Sequence, residues 1–97
     1  MTVEKKLEDG TLTISVSGRL DTNTAPELER ELKTDGVTGI VFDFSSLEYI
    51  SSAGLRVLMA AYKAMAASGG SMRIVNSNDT VRGVFDITGL AEVFAVQ

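Results

Sequence analysis

The 97-residue sequence contains no cysteine, no histidine and no tryptophan, and only one proline. Without cysteine there is no disulfide framework, thiolate zinc site, iron–sulfur cluster or cysteine nucleophile. Without histidine there is no imidazole base, no Ser-His-Asp triad and no histidine metal ligand. No apolar run approaches the roughly 20 residues that a bilayer span needs. Met1-Thr2-Val3-Glu4 lacks the basic-then-apolar plan of a signal peptide. Basic residues are outnumbered 9 to 13 by acidic ones, for a net charge of −4, which argues against a reader of nucleic-acid phosphates. What is present is 44% hydrophobic and 23% charged, the composition of an ordinary globular domain. The expectation is one domain over residues 1–97, cytoplasmic, away from membranes, with no metal and no cofactor of its own.

The pattern of the chain predicts an α/β fold. Val3, Lys5 and Leu7 alternate with Glu4, Lys6 and Glu8, Asp9-Gly10 supplies a tight turn, and Leu12, Ile14 and Val16 alternate with hydroxyl residues. The result is an N-terminal antiparallel hairpin. Because the second strand is apolar on one face only, the sheet is expected to have one face without helices. Gly18–Asn23 reads as a turn. Thr24 or Asn23 caps a short helix with Pro26 in its first turn and Leu28 and Leu32 on one side, and Gly36 stops it. A central strand over Gly39–Phe44 follows, then a loop over Ser45–Tyr49.

The longest helix is predicted from Ser51 to Ala67, with a core stripe of Leu55, Leu58, Met59, Tyr62, Met65 and Ala66. Gly69-Gly70 ends it. A short strand with Met72, Ile74 and Val75 comes next, then a helix opened by Ser77 or Asn78 with Val81, Val84, Phe85 and Ile87 at helical spacing. Gly89 is its expected stop, and Val93–Val96 reads as a final strand. The order ββαβαβαβ with right-handed crossovers stepping one way makes an open mixed, mostly parallel sheet with all helices on one face.

Most of the functional information lies in Asp43–Leu55, which joins the end of a buried strand to the start of the long helix, where open α/β sheets tend to place their sites. Ser51 and Ser52 fall where unpaired helix amides and the positive dipole end favour negative charge. Two readings fit: a helix N-cap, or a hydroxyl whose phosphorylation the helix end would accommodate. With Leu55 at the centre of the core stripe, the opposite side carries Ala53, Val57, Ala60, Ala64 and Ala67, with Arg56 and Lys63 at its margin. Such a smooth side reads either as helix propensity or as a docking face. The turn containing Asp21, Thr22 and Asn23 lies at the same end of the sheet, as a helix cap or a second rim of that face. Catalysis has little support: Ser52 lacks a G-x-S-x-G elbow, Gly69-Gly70 lacks the lysine and spacing of a phosphate loop, and the carboxylates are scattered singly.

The segment Asp43-Phe44-Ser45-x-Leu47-x-Tyr49-Ile50-Ser51-Ser52-Ala53-Gly54-Leu55 resembles the signature of the STAS domain family, and in particular its single-domain bacterial anti-sigma factor antagonists. Gly18-Arg19-Leu20-Asp21 is similar to that family's Gly-x-Leu-Asp turn, and Val84–Leu90 to its last helix and exit. The resemblance implies one STAS domain, not an enzyme, that in its unphosphorylated form binds an anti-sigma factor that is also a serine kinase. The partner, not this chain, would bind ATP, and a serine phosphatase would reset the cycle. The acceptor implied is Ser52, with Ser51 as rival, because Ser51 stands where many members carry Asp. The partner surface implied is Asp21, Thr22, Asn23, Ser51, Ser52, Ala53, Gly54, Arg56, Val57 and Ala60. The alternative is a STAS subunit of a transporter or sensory (stressosome-type) complex that uses the same face without switching.

Overall fold

The computed structural model describes residues 1–97. Strand β1 (Thr2–Glu8) and strand β2 (Thr11–Leu20) form the hairpin. Asp9 and Gly10 both have positive φ, 52° and 81°, as the turn that matches strand twist requires. Helix α1 (Ala25–Glu31), strand β3 (Gly39–Ile50), helix α2 (Ser52–Ser68), strand β4 (Ser71–Val75), helix α3 (Asp79–Thr88) and the single turn α4 (Leu90–Val93) follow. The strands lie in the order β1-β2-β3-β4, the first pair antiparallel and the rest parallel.

Register explains the one-sided core. Leu12, Ile40 and Met72 lie in one row and Ile14, Phe42 and Ile74 in the next, and all six are buried. The alternate rows, such as Ser15, Asp43 and Val75, stay partly open to solvent. Val57, Leu58, Ala61 and Met65 of α2 and Val81 and Phe85 of α3 join the same hydrophobic cluster, so the helices cover the apolar face alone. Phe44, Phe85 and Phe94 extend it, Phe44 stacked on Phe85 and Phe94 edge-on to Phe85. No buried residue is polar or charged.

The structure corrects the expected boundaries. Both central strands run on through segments read as turn and loop, β2 to Leu20 and β3 to Ile50, pairing Ser17 with Ser46 and Leu20 with Ile50 across two register shifts. Beyond Phe44, burial in β3 falls on Leu47 and Ile50, every third residue instead of every second. Irregular pairing of this kind erases the alternation by which a strand is recognised. Helix α1 ends at Glu31, short of Gly36. The expected last strand is reduced to one bridge, Ile74 to Val96, because residues 90–93 coil into α4 first.

On α2 the buried arc is Gly54, Val57, Leu58, Ala61 and Met65, while Ala66 is exposed and Leu55 half-buried. The core stripe is rotated by roughly a quarter turn from the expected one. A glycine carries no apolar signal, so its place at the centre of the packed side was hidden. Val57, 4% exposed, therefore belongs to the core and not to a docking face.

Candidate functional site: the start of the long helix

Three segments meet at the C-terminal ends of β2 and β3. The Ser51 amide donates to the Leu20 carbonyl at 2.9 Å, tying the start of α2 to the end of β2. Gly54 makes the approach close: a Cβ there would lie 2.8 Å from Cγ of Leu20 and 2.9 Å from Cγ1 of Ile50. Gly54 is thus a packing residue on its Cα side.

The two candidate serines are in different environments. Ser51 is the N-cap residue, with extended backbone and no side-chain cap bond. Its hydroxyl oxygen is buried without a partner. Ser52, the first residue of α2, is exposed. The first intrahelical bond runs from the Leu55 amide to the Ser51 carbonyl at 3.0 Å. The amides of Ser52, Ala53 and Gly54 have no partner in the chain. Unpaired donors and the helix dipole make this end a favourable place for negative charge. Arg56, one turn on from Ser52, is exposed and in no ion pair. Ser52, Arg56, Ala60, Lys63 and Ala67 form the exposed stripe of α2, and Ala53 is half-buried at its edge.

The neighbouring turn is locked by its own side chains. The Asp21 carboxylate accepts from the amides of Asn23 at 3.0 Å and Thr24 at 3.1 Å. The Thr24 hydroxyl accepts from the Asp21 amide and donates to the Arg19 carbonyl, both at 2.8 Å. Thr24 occupies the N-cap position of α1, yet its hydroxyl is spent on this turn and not on the helix. The Thr24 amide, with help from the Asn23 amide, the Thr24 hydroxyl and Arg19, holds the Asp21 carboxyl below its ordinary range. Thr22 and Asn23 are exposed. Two residues absent from the expected surface lie beside this turn. Arg19 and Tyr49 are register partners, and the guanidinium lies 4.3 Å from the centre of the Tyr49 ring. No spacing rule finds this pair, because a register shift sets it.

The 180 Å³ concavity of the chain lies elsewhere, on the open sheet face, lined by Thr2, Glu4, Ser15, Val16, Ser17, Asp43, Ser45 and Ser46. Asp43 there accepts from the Ser45 amide at 3.0 Å and the Asn76 side chain at 3.3 Å. The Ser45 amide first, then Asn76, lowers the Asp43 pKa. No helix of the chain is long and apolar enough to cross a membrane.

The family model of the STAS domain matches residues 2–97. The chain belongs to the STAS domain family. The anti-sigma-B factor antagonist of Staphylococcus aureus is 29% identical over 99 residues, covering 99% of this chain and 92% of that protein. The crystal structure of an anti-sigma factor antagonist from Mycobacterium paratuberculosis superposes with a TM-score of 0.85 at 32% identity, covering 98% of this chain and 83% of that one. The unphosphorylated form of the anti-sigma factor antagonist SpoIIAA shares the fold of this STAS domain, with a TM-score of 0.86 at 23% identity over 99% of this chain and 88% of that one.

Proposed function

We propose that this STAS domain is an anti-sigma factor antagonist that works by partner switching. In its unphosphorylated form it binds an anti-sigma factor with serine-kinase activity, and phosphorylation of Ser52 ends the binding. The observation that carries the assignment is the contrast at the start of α2: the Ser52 side is open to solvent, whereas the Ser51 hydroxyl is buried. Only an exposed hydroxyl meets a kinase without local unfolding. The names of the similar antagonists supply the class of partner.

The physics fits a switch. Phosphate on Ser52 adds about −1.5 to −2 charge at pH 7. In the free domain, the unpaired amides of α2 and the Arg56 side favour that charge. In a complex it is desolvated against the partner's nucleotide phosphates, which disfavours it. A difference of this sign between the two states is what switching requires. The rim of Asp21, Thr22 and Asn23 borders the same face. On this reading the domain is a substrate and a surface, the partner holds ATP, and a serine phosphatase restores the binding form.

The test is incubation with the cognate anti-sigma kinase and ATP, read by intact mass. One phosphate is expected, absent in Ser52→Ala and retained in Ser51→Ala. Ser52→Asp is expected to abolish partner binding. Full binding by Ser52→Asp would instead identify a STAS subunit that holds its partner without switching.

A further inference from the structure

We infer that β1 is a self-pairing edge: two copies of this chain join antiparallel along β1 and make one continuous sheet, with Lys5 on the two-fold axis. This does not depend on the role proposed for Ser52, which lies on a different element.

The edge is available. β1 pairs with β2 on one side only and has no strand on the other. Hydrogen-bonded pairs alternate along an antiparallel ladder, and Glu8 and Thr11 close the two-residue turn as such a pair. Glu4 and Lys6 therefore direct their backbone groups at β2, and Val3, Lys5 and Leu7 direct theirs outward. Edge strands are commonly blunted by charged side chains, lysine above all. Here the signs are arranged as a palindrome.

Register decides the outcome. With Lys5 opposite Lys5 of the second copy, the outward groups of Val3 meet those of the second copy's Leu7. Glu4 then faces the second copy's Lys6 in both halves. Slipping by two residues one way sets Glu4 against Glu4; slipping the other way sets Lys6 against Lys6 and Glu4 against Glu8. Lys6 lies 3.0 Å from Glu8 of its own chain, whereas Glu4 has no ion-pair partner there. Each slip sets that unpaired Glu4 directly against a glutamate, which is unfavourable, so one register is selected. The side chains agree with it. Val3, Lys5 and Leu7 oppose the buried Val16, Ile14 and Leu12 and so share the apolar side of the sheet. Leu7 is 61% exposed, although it lies on that side, and the second copy's Val3 covers it. The two axial lysines do not oppose pairing, since each Nζ is already held by Glu31 of its own α1 at 2.7 Å.

Sedimentation equilibrium of the whole chain tests this. A reversible dimer is expected, weakening with salt as exposed ion pairs do. Glu4→Lys and Lys6→Glu should each weaken association about tenfold or more, and the double reversal should restore it to within about threefold. Both residues are exposed, so the variants keep the fold, checked by circular dichroism. Leu7→Pro removes one outward amide without touching the β2 ladder, and should leave a folded monomer. A wild-type chain still monomeric at roughly 1 mM would overturn the inference. So would a dimer indifferent to the single reversals, or one that the double reversal fails to restore.

Discussion

At the start of α3, the Asn78 side chain accepts from the Val81 amide at 2.8 Å and donates to the Leu47 carbonyl at 3.0 Å. At the start of α2, Ser51 makes no such bond, its hydroxyl is buried and unpartnered, and the next three amides have no partner. Two helices of one domain, packed on the same sheet, thus begin in opposite ways. The α3 end is satisfied from within and anchors the helix to β3. The α2 end is held by the Ser51 amide on the Leu20 carbonyl and by packing of Gly54 on Leu20 and Ile50, and it keeps the amides of Ser52, Ala53 and Gly54 unspent. The comparison teaches that a helix end can be secured without a side-chain cap, leaving its first amides and its dipole unspent.

Four outcomes would break or sharpen this contrast. Gly54→Val places atoms where Leu20 and Ile50 already lie, and should lower unfolding stability by about 2–3 kcal/mol in urea titration. If it is neutral, close packing does not hold α2. Asn78→Ala removes a cap and one donor to the Leu47 carbonyl, and should cost about 1–2 kcal/mol. Ser51→Ala removes no bond, so its effect should stay within about 0.5 kcal/mol; equal costs at the two caps would dissolve the comparison. Ser52→Asp should raise stability by about 0.5 kcal/mol through the dipole, a gain reduced in an Arg56→Ala background and absent for acid placed at the capped end of α3.

The smallest effect concerns pH. Asp21, Glu31 and Asp43 all have carboxyl pKa values below their ordinary 3.8, 4.5 and 3.8. The causes are, in order, the Thr24 amide, Lys5 and the Ser45 amide. A depressed folded-state pKa adds stability above the unfolded value and loses it as pH falls through the folded value. Thermal stability should therefore be flat near neutrality and decline only as pH drops below these ordinary values. Asp43→Asn should flatten part of that decline. A decline beginning near pH 6 would contradict the assignment.

Much of the fold was legible because β2 alternates with a period of two and the first half of β3, Gly39–Phe44, is an almost continuous apolar run. The hydroxyl face of β2, Thr11 to Ser17, announced the uncovered side of the sheet, and Asp9-Gly10 announced the hairpin. Legibility failed where register shifts break the period. Ser45–Tyr49 looked like a loop because its burial falls on every third residue, and the Arg19–Tyr49 pair followed from that shift. It failed again on α2, where Gly54 gave no sign of lying at the centre of the packed side. Apolar periodicity alone therefore centres the stripe on Leu55 and leaves Val57 outside it.

By itself, the sequence determined the class of the molecule: an α/β domain without imidazole or thiol, carrying a family signature at one strand-to-helix junction. Local patterns suffice for that, since alternation, turn chemistry and absent side chains need no knowledge of what lies nearby. Only the tertiary structure decided which serine is accessible. Ser51 and Ser52 are chemically identical neighbours, and they differ because the Ser51 amide is drawn onto the Leu20 carbonyl, turning one hydroxyl inward and leaving the next residue in solvent.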